Sequence, residues 1–171
     1  HYTDIHLFGD PAGRLRGVAT LPALQAAIAD AQRRCSRPDG ILLTGDLVQD
    51  DPEGYRWIKH IFGASRVPVL CLPGNHDLPD HMQAALGSAP FEVSRHRQFG
   101  RWLVVMLDSW VANSAGGEIG SEQLAQLRDT LRAHRNQHVL LCLHHQPIAM
   151  RGDWLDQVGL NDSQEFMAVI R

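Results

Sequence analysis

Apolar runs alternate with amphipathic segments along most of the chain, and this alternation predicts strands separated by helices. Short, continuous apolar runs predict strands at 41–43, 67–72, 101–107 and 138–143. Apolar residues at spacings of three and four predict helices over 21–34 and 53–63, a helix capped by Ser121, and a last helix over 163–171. Helices between successive strands are typical of βαβ units, so we predict an α/β fold with a largely parallel sheet.

Three segments depart from this regular pattern. Residues 80–100 show no sustained period, so their elements are not predicted. The first strand would have only residues 1–3 before its acidic residue, whereas a core strand usually has ~5–6. The helix from Ser163 continues to the last residue. We therefore expect the chain to be part of a longer protein, shortened at both ends.

Composition narrows the class of protein. A length of 171 residues predicts one domain over 1–171. The net charge is −3 and Lys59 is the single lysine, which argues against a nucleic-acid partner. No apolar run reaches the ~20 residues of a membrane-spanning helix. The three cysteines, Cys35, Cys71 and Cys142, are far apart and predict free thiols in a cytoplasmic protein.

Four short clusters of metal-binding side chains follow apolar runs. They are Asp4-Ile5-His6, Gly45-Asp46, Gly74-Asn75-His76-Asp77 and His144-His145. Each cluster lies where a predicted strand ends and a loop begins, which is where α/β folds usually carry their chemistry. A single cluster of this kind could occur by chance, but four clusters in this order predict a binuclear metal hydrolase.

The first two clusters supply carboxylates and an imidazole. Asp4 and His6 are two residues apart, so on an extended segment they would share a face and could bind a borderline divalent metal. The carboxylate of Asp46 could bridge two cations. Taken alone, each residue could equally belong to an ordinary turn. Asp50 and Asp51 are predicted to be a loop residue and a helix N-cap ahead of Pro52.

The third cluster is the most specific. The amide oxygen of Asn75 could bind a metal, and His76 could donate a proton to a phosphoester oxygen. Asp77 could hold the His76 imidazole in one tautomer. A polar turn after Pro73 would explain the glycine and the asparagine but not the His-Asp pair.

The fourth cluster has two neighbouring histidines. Adjacent residues on a strand face opposite ways, so we predict that His144 faces the metals while His145 supports the loop or the substrate. Substrate contacts are assigned to four residues: His6, Asn75, His76 and His145. No G-x-S-x-G elbow, P-loop or dinucleotide fingerprint competes with this interpretation.

Together these motifs resemble the signature of the calcineurin-like metallophosphoesterases. The linking segments are similar to one branch of that superfamily, the bacterial class III cyclic-AMP phosphodiesterases of the CpdA type. The similarity extends from Thr3 to about Phe166, and it is carried by residues 6–8, 43–50, 72–77, 107–109, 143–145 and 154–157.

The resemblance implies a fold and a ligand set. The fold would be an αββα four-layer sandwich, with the C-terminal strands of the second sheet missing from this chain. Two divalent metal ions (iron, manganese or zinc) would be bound, the first by Asp4 and His6 and the second by Asn75 and His144, with Asp46 bridging. His76 would protonate the leaving 3′-oxygen or hold the phosphate in place. The family's C-terminal Gly-His-x-His, which supplies the last two ligands, does not occur here.

The function implied is hydrolysis of 3′,5′-cyclic AMP to 5′-AMP, with the cyclic nucleotide as a small-molecule partner and with neither a nucleic acid nor a membrane as a partner. Two alternatives stay open. One is a broader phosphodiesterase that acts on other cyclic nucleotides or on glycerophosphodiesters. The other is a non-catalytic interaction domain of the same fold, like the retromer subunit of this superfamily, although the ligands expected within this chain are intact. Residues 9–20 and 151–161 are predicted to form the walls of the substrate site.

Overall fold

The computed structural model describes residues 1–35 and 37–171, which form two compact units, residues 1–93 and 94–171. Both units combine helices with a three-stranded sheet, which confirms the α/β class. The four-layer sandwich and the single domain over 1–171 stay predictions. None of the described helices is long and apolar enough to cross a membrane.

The described residues of unit 1, 1–35 and 37–93, form five strands and three α-helices. In chain order they are β1 (Arg14–Leu15), β2 (Val18–Ala19), α1 (Thr20–Arg34), β3 (Ile41–Thr44), α2 (Tyr55–Phe62), β4 (Val69–Leu72), α3 (Pro79–Leu86) and β5 (Phe91–Val93). A 3₁₀ turn, Pro52–Gly54, leads into α2. The helix predicted over 21–34 and the strands predicted at 41–43 and 67–72 are confirmed within two residues at each end. The prediction over 53–63 corresponds to this 3₁₀ turn and α2.

The sheet of unit 1 has the order β3-β4-β5 and is parallel throughout. Its core contains buried residues of both strands and helices, including Leu43, Val69, Ile58, Tyr55 and Met82. The first segment of the chain does not form the short strand expected there. It runs beside β3 through isolated parallel bridges, Tyr2 to Leu43 and Leu7 to Val48. Residues 4–6 lie between these two bridges, so strand pairing does not keep their backbone extended.

Unit 2 contains three strands and two α-helices. They are β6 (His96–Phe99), β7 (Trp102–Met106), α4 (Gly120–Ala133), β8 (His138–Cys142) and α5 (Ser163–Ile170), with a 3₁₀ turn at Leu155–Gln157. The predicted strands at 101–107 and 138–143 and the predicted last helix are confirmed. β7 pairs with β8 in parallel, whereas β6 pairs with β7 antiparallel, so the sheet is only partly parallel.

The start of α4 differs from the prediction. Ser121 is not the N-cap, because α4 begins at Gly120 and Ser121 lies in its first turn. The capping group comes from a distant part of the chain. The Asp162 carboxylate accepts hydrogen bonds from the backbone N–H groups of Ile119, at 3.0 Å, and Gly120, at 2.8 Å. This contact ties α4 to the start of α5, and both helices cover the second core around Leu103, Leu127 and Phe166.

Candidate metal centre

Three loops of unit 1 lie side by side at one end of its sheet. Gly45 and Asp46 follow β3, and residues 73–77 follow the neighbouring strand β4. The two strands are parallel, so their carboxyl ends meet at the same edge. Residues 4–6 lie on the other side of β3, because Tyr2 and Cys71 both pair with Leu43 from opposite sides. Three of the four predicted clusters therefore come together.

The backbone at this edge is unusual. Asp4, His6 and Asp46 have positive φ angles of 53°, 43° and 51°. Residues other than glycine adopt this region at a cost, with aspartate and histidine among the more tolerant, and such residues gather at functional sites. The two loops are locked together because Asp4 N–H donates to Gly45 O at 3.1 Å and His6 N–H donates to Asp46 O at 2.9 Å.

This geometry corrects the argument that predicted the first cluster. The sequence argument assumed an extended segment that places Asp4 and His6 on one face. The structure has both residues in the left-handed region, so alternation along a strand does not apply. Their bonds to residues 45–46 bring them to Asp46 instead.

Asp46 is the centre of the arrangement. It is 4% exposed, and its Oδ1 accepts a hydrogen bond of 2.9 Å from the backbone N–H of His76. Its Oδ2 lies 3.7 Å from His6 Nε2. A carboxylate oxygen of Asp4 and one of Asp46 lie within 4.8 Å of each other. These separations exceed hydrogen-bond lengths, but suit donor atoms that each approach one cation to ~2.0–2.2 Å.

His6 has the properties of a metal-binding imidazole. Burial lowers its pKa, against the opposite influence of Asp46 and Asp4, so the neutral ring is favoured. Its Nδ1 is buried, and no hydrogen-bond partner for it occurs within the described part of the chain. A neutral imidazole beside two carboxylates is a mixed nitrogen and oxygen donor set that suits a borderline divalent metal. The residues of unit 1 therefore fit such an ion.

His76 is half-buried and lies next to this group. Its ring is 5.4 Å from that of His6. Its Nδ1 lies 2.8 Å from Gln49 Nε2 and 3.0 Å from Asp50 Oδ2. The amide N–H can donate to an unprotonated Nδ1, and the carboxylate can accept from a protonated one, so Nδ1 has a partner in either tautomer. Asn75, directly before His76, is also half-buried.

Asp77 does not orient His76, so that prediction is wrong. Asp77 is 2% exposed and accepts hydrogen bonds from Gly74 N–H at 2.9 Å, Leu47 N–H at 3.1 Å and Tyr55 O–H at 2.8 Å. Burial raises its pKa to about 6, although these donors act in the opposite direction. The carboxylate thus joins the loop after β3 to the loop after β4.

Two acidic residues ahead of Pro52 have separate roles. Asp51 caps the 3₁₀ turn by accepting from Glu53 N–H at 3.0 Å, which confirms its predicted role. It also accepts from Gly9 N–H at 2.7 Å, which fastens the loop after His6. Asp50 was predicted to be a loop residue only, and its contact with His76 was missed. The two are 26 positions apart in the sequence, so only the pairing of β3 with β4 could have suggested it.

The fourth cluster lies in unit 2, where His144 and His145 follow β8. His144 is half-buried, whereas His145 is 2% exposed. The two rings are 5.0 Å apart at 88°. Nδ1 of His145 lies 2.7 Å from Ser109 Oγ. Of the two roles predicted for His145, its burial favours support of the loop over contact with a substrate.

Asp108 lies two residues after the end of β7. Its Oδ1 accepts from Trp110 N–H at 2.9 Å. The Gln123 side chain bonds both the backbone N–H and the backbone carbonyl of Asp108. Burial raises the pKa of the Asp108 carboxyl, while the Trp110 N–H acts in the opposite direction.

Comparison with known sequences shows which family and which proteins this chain is similar to. The sequence model described as calcineurin-like phosphoesterase matches residues 1–167. A 3′,5′-cyclic adenosine monophosphate phosphodiesterase, CpdA of Haemophilus influenzae, is 35% identical over 170 residues, which is 98% of this chain and 62% of that protein. CpdA of Escherichia coli is 34% identical with the same two coverages.

A further relative is similar to about the same extent. A 3′,5′-cyclic-nucleotide phosphodiesterase of Nostoc is 33% identical over 171 residues, covering 98% of this chain and 64% of the relative. The chain therefore spans a little under two thirds of the length of these curated relatives.

Proposed function

The chain belongs to the calcineurin-like phosphoesterase family, and from that premise we propose that it carries most of the active site of a binuclear-metal phosphodiesterase. The proposed reaction is hydrolysis of 3′,5′-cyclic AMP to 5′-AMP. The observation that carries the proposal is the meeting of Asp4, His6 and Asp46 at one edge of a parallel sheet, with the His76 N–H bonded to Asp46. The cyclic-nucleotide relatives support the choice of substrate.

The proposed ligand set contains five residues. Asp4 and His6 would hold one divalent ion, Asp46 would bridge, and Asn75 and His144 would hold the second. The metals proposed are iron, manganese or zinc, because mixed nitrogen and oxygen donors accept all three. When bound, such ions would supply positive charge that offsets the charge developing on the phosphate and activates water. His6, Asn75 and His76 stay the proposed substrate residues, whereas the burial of His145 favours its alternative role in supporting the loop.

His76 is the proposed proton donor to the leaving 3′-oxygen. Its Nδ1 is held by Gln49 or Asp50 in either tautomer, so Nε2 is the ring nitrogen that can serve the substrate. Its backbone N–H is fixed on Asp46 at 2.9 Å, which ties the position of the donor to that of the bridging carboxylate. Positioning of this kind lets a general acid contribute roughly 10²–10⁴ in rate.

The test is a kinetic comparison in the whole protein supplied with Mn²⁺. The variant His76→Ala should lower kcat on 3′,5′-cyclic AMP by roughly 10²–10⁴ and change KM little. His81→Ala removes an exposed histidine of α3 and should behave like the unsubstituted protein. Full activity of His76→Ala would contradict the proposal and favour the non-catalytic alternative.

The substrate is tested separately. We expect kcat/KM to be higher for 3′,5′-cyclic AMP than for 3′,5′-cyclic GMP or an aryl phosphodiester. Equal or faster hydrolysis of the aryl ester would favour the broader phosphodiesterase instead. A cytoplasmic location is proposed as well, because Cys35, Cys71 and Cys142 are unpaired thiols.

A further inference from the structure

The buried imidazole of His145 needs an explanation that the proposed chemistry does not give. Its side chain is 2% exposed, and Ser109, which lies 2.7 Å from its Nδ1, is completely buried. Burying two polar groups costs free energy unless they satisfy each other. A histidine with only a packing role could be replaced by an apolar residue without that cost.

The pairing of β7 with β8 explains why Ser109 and His145 meet. Met106 is opposite Cys142 in the parallel register, and the ladder continues with Leu107 N–H donating to Cys142 O at 2.8 Å. Ser109 and His145 are each three residues beyond that pair. The contact therefore joins the loop after β7 to the turn after β8.

A third segment packs against the same ring. A Cβ added to Gly117 would lie 2.2 Å from His145 Nδ1 and 2.6 Å from Ser109 O, so only glycine allows this approach. The backbone of this segment is bonded on both sides. Glu118 N–H donates to Ser109 O at 3.0 Å, and Asn161 N–H donates to Gly117 O at 2.7 Å. Leu160 N–H in turn donates to Gln146 O at 3.0 Å, which connects this part of the chain to the turn after β8.

We propose that Ser109 and His145 are positioning residues that hold the turn so that His144 can bind a metal ion. The inference rests on the proposed role of His144 as a ligand. His145 is the residue next to His144, its ring contacts the His144 ring at 5.0 Å, and its burial fixes the backbone on which His144 is carried. Partners that orient a metal ligand commonly contribute 10–100-fold to metal affinity.

The experiment measures Mn²⁺ binding to the whole protein by the electron paramagnetic resonance of free Mn²⁺, without substrate. His144→Ala serves as the reference and should weaken one of the two Mn²⁺ sites. Ser109→Ala should weaken the same site by roughly 10–100-fold. Ser114→Ala is the matched control, because its hydroxyl also makes hydrogen bonds in unit 2, to Gly116 N–H and Gly116 O. It should leave Mn²⁺ binding unchanged.

A second pair of variants separates positioning from folding. His145→Asn places an amide near the position of Nδ1 and can keep the bond to Ser109, whereas His145→Gln places its amide near Nε2. We expect His145→Asn to bind Mn²⁺ within about threefold of the unsubstituted protein and His145→Gln to lose about as much affinity as Ser109→Ala. This pair decides the question even if Ser109→Ala does not fold.

Three outcomes distinguish the hypotheses. Unchanged Mn²⁺ binding in His144→Ala would contradict the proposed ligand set and, with it, this inference. A loss in His144→Ala without a loss in Ser109→Ala would overturn the inference alone. Equal affinities of the Asn and Gln variants would also overturn it, because the bond from Nδ1 would then have no effect on the ligand.

Discussion

Asp77 in unit 1 and His145 in unit 2 occupy the same position in their motifs, directly after His76 and His144. Both are 2% exposed, yet they are held in different ways. Asp77 accepts hydrogen bonds from backbone N–H groups of two loops and from the Tyr55 hydroxyl. His145 hydrogen-bonds the hydroxyl of Ser109 and packs against the backbone of Gly117, where no side chain would fit. The loops of unit 1 thus depend on hydrogen-bond satisfaction, and the turn of unit 2 depends more on close fit.

The largest effect should follow from removing the shared acceptor of unit 1. Asp77→Ala leaves the N–H groups of Leu47 and Gly74 and the Tyr55 hydroxyl buried without their acceptor. We expect the free energy of unfolding to fall by about 3–5 kcal/mol, measured by urea unfolding. Asp80→Ala, an exposed residue of α3, is the control and should cost little. A loss of less than about 1 kcal/mol in Asp77→Ala would show that the loops of unit 1 do not depend on this acceptor.

A smaller effect should follow from disturbing the fit in unit 2. Gly117→Ala forces a methyl group to within 2.2 Å of His145 Nδ1, so the ring or the loop must move. Such overpacking costs about 1–3 kcal/mol of unfolding free energy. Gly152→Ala is the matched control, because its added Cβ would lie 3.7 Å from Leu155, an ordinary contact. Equal stability of the two variants would show that the turn is not closely packed.

Two carboxylates of unit 1 differ in what they hold: Asp77 holds the loops, whereas Asp50 contacts the ring of His76. Asp50→Asn keeps a residue that tolerates the φ of 53° and removes only the charge beside His76 Nδ1. The His76 and Asp50 side chains are 36% and 63% exposed, and exposed pairs contribute little. We expect kcat on the proposed substrate to fall less than about tenfold, with stability unchanged. A loss as large as that of His76→Ala would assign Asp50 a direct part in the chemistry.

Much of this structure could be predicted because its causes are local in the sequence. The long helix α1, the strands β3, β4, β7 and β8, and the chemical clusters after β3, β4 and β8 all follow from periodicity and strand length. Short elements could not be predicted in this way. α3 has eight residues and β5 has three, which is too short for a period to stand out in residues 80–100.

The contacts within the site could not be predicted, since they depend on which strands are neighbours. The sequence argument assigned Asp77 to the adjacent His76, but its carboxylate accepts from Gly74 in the same loop, from Leu47 in the neighbouring loop and from Tyr55 in α2. In unit 2, Ser109 meets His145 only because β7 and β8 are parallel and in a fixed register. Residues that are adjacent in a motif therefore need not contact or orient one another.

The smallest effect concerns Asp108, a half-buried carboxylate of unit 2, whose contribution to stability can be tested by varying the pH. Burial raises its pKa, so the folded protein holds a proton that the unfolded chain releases more readily. The resulting stability is complete below the ordinary carboxyl pKa of about 3.9 and is lost as pH rises through the higher value of the folded state.

Asp108→Asn keeps the acceptor for Trp110 N–H but cannot ionise. Urea unfolding from about pH 4.5 to about pH 8 should therefore show the variant gaining stability relative to the unsubstituted protein. Asp153→Asn, an exposed residue, should show no such trend. A relative stability of Asp108→Asn that fell with pH would mean that local donors outweigh burial at this carboxylate, as they do not at Asp77.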